Sequence, residues 1–147
     1  MKMRCVVMMM VVGCLGSSLL GTDKKYIAQE PKTDLPFSEG VLVGNTLYIA
    51  GHLGLDPKTS KPPASVDEEA RLVMEAIKKT VESAGMTMDD VVMMQISCPD
   101  LTLYDTFNKV YRTYFHGEFP ARAFLGSGKL LRDAHFEVLG VAVKRAK

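Results

Sequence analysis

After residue 22 the apolar positions fall into short runs of strand length and longer stretches of helical spacing. Lys24 to Gln29 is the first short run. Val41-Leu42-Val43 and Thr46 to Ala50 flank Gly44-Asn45, two residues that tolerate positive φ, which predicts a β-hairpin. Residues 51–64 carry Gly54, Asp56-Pro57 and Pro62-Pro63 and read as a loop. Ser65-Val66-Asp67-Glu68 has the order of a capping box. Behind it Val66, Ala70, Val73, Ile77, Val81 and Ala84 recur at helical spacing until Gly85 stops the helix. Residues 91–98 form the next strand. A second helix is expected to begin at Thr102 to Asp105, to present Phe107, Val110, Tyr111, Tyr114 and Phe115, and to end at Gly117. Such an aromatic stripe reads as core. Residues 121–127 and 135–143 are the last two strands, with 128–134 between them. This order predicts an α+β domain in which one mixed sheet carries both helices on a single face. The other face would hold apolar side chains that self-association covers, so an oligomer is expected.

A chain of 147 residues suits one domain with a proper core. A net charge of +1 gives no broad footprint for nucleic acid or an acidic membrane surface. The N-terminus departs from the rest. Lys2 and Arg4 precede the apolar segment Cys5 to Val12, and Gly13, Gly16, Ser17 and Ser18 follow. Basic, apolar and small residues in that order are the layout of a secretory signal peptide, so residues 1–21 are expected to be a leader and 22–147 the domain. Val11-Val12-Gly13-Cys14 also resembles a bacterial lipobox, in which Cys14 would carry a lipid anchor. The expected address is therefore exported or periplasmic, with a cytoplasmic protein bearing an apolar tail as the alternative. Cys98 is left alone in the domain, without a partner for an internal disulfide, and reads as a small buried hydrophobe. His52, His116 and His135 lack metal-ligand spacing, so no metal is expected.

Candidate chemistry gathers near the C-terminus. Arg122 ends the run Phe119-Pro120-Ala121-Arg122, and Glu137 interrupts the apolar strand Phe136 to Val141. Arginine keeps its charge, and its planar fork matches a carboxylate. A glutamate among apolar neighbours is costly to desolvate unless something compensates it. The pair points either to a structural ion pair or to a site for a small carboxylate-bearing substrate.

Leu35-Pro36-Phe37-Ser38-Glu39-Gly40-Val41, Leu47-Tyr48-Ile49-Ala50-Gly51-His52 and Asp56-Pro57-Lys58-Thr59 appear in order along the chain. Asn108, Phe119-Pro120-Ala121-Arg122-Ala123 and Phe136-Glu137-Val138 follow. This co-linear set resembles the RidA (YjgF) family of reactive-intermediate deaminases over roughly residues 25–145. The resemblance implies a chorismate-mutase-like α+β fold, a homotrimer with clefts between subunits, and no cofactor. It implies hydrolysis of enamine or imine intermediates, such as 2-iminopropanoate and 2-iminobutanoate, to 2-oxo acids and ammonia. Arg122 would bind the substrate carboxylate and Glu137 would activate water. Phe37, Gly51, Asn108, Ala121 and Phe124 would contribute to substrate binding. Phe37 stands where the family often has tyrosine, Phe124 where many relatives have cysteine, and His52 where glutamine is common. These departures suggest a bulkier, more hydrophobic imino acid. Two other classes stay open: a small-molecule binding or chaperone-like protein without turnover, and a ribonuclease. Against the last, no basic stripe with interleaved aromatics is present.

Overall fold

The structure, a computed structural model, describes residues 23–144, so the leader expected over 1–21 lies outside the described residues. Strand β2 (Gly40–Val43) and strand β3 (Thr46–Leu53) form the expected hairpin, with Gly44 at φ 59 in the turn. Only glycine supplies the left-handed step; Asn45 does not use it. Strand β1 (Lys24–Ile27) pairs antiparallel with β2 and is two residues shorter than the apolar run suggested.

Three more strands complete the sheet: β4 (Val91–Cys98), β5 (Ala121–Gly126) and β6 (Glu137–Val143). Their order is β1-β2-β3-β6-β4-β5, and only β4 and β5 run parallel. The long helix α1 (Val66–Ser83) crosses β3 and β6 and packs on α2 (Tyr104–Tyr111). Ser65 caps α1 by accepting the Glu68 amide at 3.3 Å, and Gly85 takes φ 74 just past its end. One mixed sheet with both helices on one face is thus the architecture the patterning predicted.

The core lies between the helices and alternate residues of the sheet. Leu47 and Ile49 of β3, Met94 and Ile96 of β4, and Val138 and Ala142 of β6 are buried against Val73 and Ile77 of α1. Phe107 of α2 fills the space beside them, with its ring centre 4.8 Å from that of Phe136. The residues between those positions face the other way. There Tyr48 is exposed, and Val41, Met93, Leu139 and Val141 are half-buried, so the open sheet face is apolar as anticipated.

Strand β3 runs to Leu53, three residues into the segment read as a loop, and two further boundaries differ from the sequence reading for identifiable reasons. The second helix was expected to run from about Thr102 to Gly117, but only Tyr104–Tyr111 is α-helical, with 3-10 turns Leu101–Leu103 and Arg112–Tyr114 on either side. Asp100 caps the entry by accepting from the Thr102 amide at 2.9 Å and hydroxyl at 2.6 Å, which fixes a tight first turn. The last strand starts at Glu137 rather than residue 135 because the amides of His135 and Phe136 are taken by Glu69.

Candidate functional site

Tyr104, Asn108 and Tyr111 occupy one stripe of α2 at spacings of four and three residues, and that stripe faces β5. Arg122 lies in register with the buried Met94, so it points to the helix side of the sheet. Its Nη1 donates to Asn108 Oδ1 at 2.6 Å and its Nη2 to the Tyr104 hydroxyl at 3.1 Å. The guanidinium carbon lies 4.8 Å from the Tyr111 ring centre and 5.4 Å from that of Tyr104. Two hydrogen bonds and two aromatic faces therefore hold one orientation of the fork. Among the described residues no carboxylate pairs with Arg122, which removes the structural ion pair as its explanation. A cavity of about 210 Å³ opens here, walled by Tyr104, Tyr111, Phe119 and Pro120, with Asn108, Arg112 and Arg122 as its polar groups. Burial pushes the Tyr111 phenol up to about 12, the Arg122 charge opposing, so it remains protonated at neutral pH.

Glu137 sits elsewhere. It is opposite Ser97 on β4 and Leu53 on β3, and it alternates with the buried Phe136 and Val138, so it projects from the open face. Its carboxylate lies over Gly51, in the irregular stretch of β3 between Ile49 and His52. A Cβ at Gly51 would stand 2.5 Å from Glu137 Oε1, so glycine is what lets the carboxylate rest there. The Glu137 carboxylate makes no hydrogen bond or ion pair with the described residues, and the residue is half-buried.

The backbone leading into Glu137 is anchored from behind. Glu69 of α1, fully buried, accepts from the His135 amide at 2.6 Å and the Phe136 amide at 3.1 Å through the same Oε1, while Oε2 meets His135 Nδ1 at 2.6 Å. Nearby on the helix side, His52 Nδ1 is 3.1 Å from Glu39 Oε2 and Nε2 is 3.2 Å from the Thr80 hydroxyl. Burial lowers the pKa of His52, with Glu39 opposing.

The predicted site residues thus divide into groups. Arg122 and Asn108 come together, as do Glu137 and Gly51, but the two pairs lie on opposite faces of the sheet with β4 between β5 and β6. Ala121, next to Arg122, faces the open side and is exposed. Phe124 does not line the cavity; its ring stands edge-on at 5.1 Å to Tyr104 and 5.7 Å to Phe107, supporting the cavity wall from below. Phe37 is exposed in the segment before β2, at the far end of the sheet order from β5. The sequence reading missed Tyr104, Arg112 and Phe119 and took Tyr111 for core alone. The helical spacing of Tyr104 and Tyr111 around Asn108 was the available signal.

The family model described as Endoribonuclease L-PSP matches residues 27–144. A 2-iminobutanoate/2-iminopropanoate deaminase of Escherichia coli is 33% identical over 126 residues, covering 82% of this chain and 98% of the relative. The chain belongs to the RidA (L-PSP) family. A RutC family protein of Saccharolobus solfataricus is 37% identical to this RidA-family chain over 120 residues, covering 81% of it and 95% of the relative. Among solved structures, the YjgF gene product of Escherichia coli superimposes with a TM-score of 0.77 at 33% identity, over 82% of this RidA-family chain and 99% of the other.

Proposed function

We propose that this RidA-family protein hydrolyses 2-imino acids and their enamine tautomers to 2-oxo acids and ammonia, at a site completed between copies of the chain. The observation that carries the reading is the Arg122 guanidinium, pre-oriented by Asn108 and Tyr104 yet free of any carboxylate among the described residues. Of its five N–H donors at least three remain for a ligand, enough for a bidentate grip on the acid end of an imino acid. The aromatic walls hold the rest of the molecule and exclude water from the ion pair.

Glu137 supplies the base. Water held by its carboxylate attacks the imine carbon, the C–O bond forms, and Glu137 takes the proton. Returning that proton to nitrogen gives the carbinolamine; Glu137 then takes the hydroxyl proton and passes it to the amine as C=O forms and the C–N bond breaks, so imine plus water gives 2-oxo acid plus ammonia. Because Glu137 and Arg122 face opposite sides of one sheet, each pair would be completed by a neighbour. The apolar open face of one copy, carrying Glu137, covers the β5 edge of the next; a ring of three closes this arrangement without leaving a face open. An activated imine hydrolyses readily, so positioning and one general base meet the need.

Imines generated in place by an amino-acid oxidase and followed by their decay test the reaction. Arg122→Gln is expected to lower kcat/KM about 10- to 100-fold, the equivalent of one strong charge-assisted contact. Glu137→Gln is expected to lower kcat about 10²- to 10⁴-fold. Mixed oligomers obtained by co-expressing the two variants should recover activity, since some clefts then hold both native groups. Full activity in a monomer, or no recovery in verified mixed oligomers, overturns the shared site. The family description also names an endoribonuclease; RNA cleavage that persists through purification and tracks neither Arg122 nor Glu137 would favour that reading instead.

A further inference from the structure

Arg112 makes the Arg122 cavity a site with two cations. It opens the 3-10 turn after α2, and its guanidinium carbon lies 5.8 Å from the Phe119 ring centre. Phe119 stacks on Tyr111 at 6.2 Å, and Tyr111 in turn lies 4.8 Å from the Arg122 guanidinium carbon. An aromatic pair therefore bridges the two positive groups. No carboxylate lines the cavity, and among the described residues neither arginine has an acidic partner.

Two cations line about 210 Å³ with no acid among the cavity walls, Arg122 half-buried and Arg112 exposed at the rim, so the pocket favours anions. Aromatic faces offset only a fraction of that charge. With Arg122 on the carboxylate beside the imine carbon and a neighbour's Glu137 at that carbon, Arg112 still has no acid among the cavity walls, and a second, distal carboxylate supplies one. The Tyr111 hydroxyl, buried and without a hydrogen-bond partner among the described residues, is a further donor in the same wall. The volume falls below the roughly 300–1,000 Å³ typical of drug-sized ligands, which fits a small metabolite.

We propose that the preferred substrates are 2-imino dicarboxylates, the imines of acidic amino acids, with Arg122 on the carboxylate beside the imine carbon and Arg112 on the distal one. This rests on the deaminase reading. The reaction is unchanged: water adds to carbon, ammonia leaves, and the distal carboxylate takes no part in bond making. Phe37 and Phe124, which suggested a bulky apolar substrate from sequence, do not line this cavity.

The test compares imines made in place from glutamate, norvaline and leucine, norvaline having a methyl group where glutamate has its distal carboxylate. Wild type should favour the glutamate-derived imine at least tenfold in kcat/KM. Arg112→Gln should reduce kcat/KM at least tenfold more for that imine than for the norvaline-derived one, mainly through KM. Equal losses on both, or preference for the norvaline- or leucine-derived imine, overturn the assignment. Calorimetric titration of the same proteins, checked as folded by circular dichroism, with 2-oxoglutarate and 2-oxopentanoate separates the two levels of the argument. An Arg112-dependent preference for 2-oxoglutarate without acceleration of any imine refutes deamination and leaves the dianion site standing. Equal binding of the two oxo acids, or none, overturns the dianion site whatever the turnover shows.

Discussion

Replacing Glu69 tests how the fold holds Glu137 in place. The Glu69 side chain is wholly buried, and its Oε1 alone receives both the His135 amide at 2.6 Å and the Phe136 amide at 3.1 Å. Hydrogen bonds to a charged acceptor contribute about 1.5–3 kcal/mol each. Glu69→Ala leaves the buried Phe136 amide and the part-buried His135 amide without their acceptor, so a loss of about 3–6 kcal/mol is expected from a domain whose whole stability is of order 5–15 kcal/mol. Glu69→Gln should behave differently. Its carbonyl oxygen can keep both amide bonds, and its NH₂ can face His135 Nδ1 if the ring takes the tautomer that accepts there. Only the charge is lost, about 1–2 kcal/mol. Urea unfolding at one fixed protein concentration measures both changes, as shifts in midpoint at constant slope. A Glu69→Ala protein within about 1 kcal/mol of wild type would show that the clamp is dispensable. A Gln variant as damaged as the Ala variant would show that charge, not the two amides, is what matters.

Gly51→Ala should spare stability to within about 1 kcal/mol, because the conflict is with the free end of a flexible side chain. It should nevertheless lower kcat at least about tenfold by displacing Glu137 Oε1; unchanged kcat with a displaced carboxylate would argue against the general base. Asn108→Ala removes the 2.6 Å bond that orients Arg122 and should raise KM about tenfold, read from initial rates at varied imine concentration; an unaltered KM would mean that Tyr104 orients the fork alone. His52 has a folded pKa below its ordinary 6.5, chiefly from burial. The unfolded chain then binds the extra proton first, so the stability that neutral His52 contributes is complete above pH 6.5 and declines as pH falls toward the folded pKa. The slope cannot exceed about 1.4 kcal/mol per pH unit for one proton, and His52→Gln should flatten that segment of a stability–pH curve. An unchanged segment would place the titration in other groups.

The sheet and the long helix were readable because local signals agreed with the final packing. Ser65 and Gly85 bracket a helix whose apolar positions Ala70, Val73, Ile77 and Val81 are buried, with Val66 half-buried at its start. Glu69 was invisible because a carboxylate on that face gains its value only from amides 66 and 67 residues away. The helical stripe of Tyr104, Asn108 and Tyr111 was legible as a pattern, but whether it faces core or ligand depends on where β5 runs. Strand alternation places Arg122 and Glu137 on definite faces only once register is known. Arg122 pairs with Met94 on β4, whereas Glu137 pairs with Ser97, one residue out of phase, and that odd offset sends the two side chains to opposite sides.

This odd offset bears on how specificity and chemistry can change. The groups that would grip the ligand, Arg122, Asn108, Tyr104 and Arg112, lie around the stripe of α2 and the edge strand β5. The proposed base, Glu137, lies on the far face beside Gly51 and just after the amides that Glu69 holds. A substitution among the cavity walls therefore leaves Gly51 and the Glu69 clamp of the same chain intact, and changes in the two groups should add in free energy unless the bound molecule couples them. In a double variant of Asn108→Ala and Gly51→Ala, additivity in KM terms but not in kcat would locate that coupling in the transition state. There the carboxylate must be held still while water attacks, so misplacing either end undoes the benefit of the other.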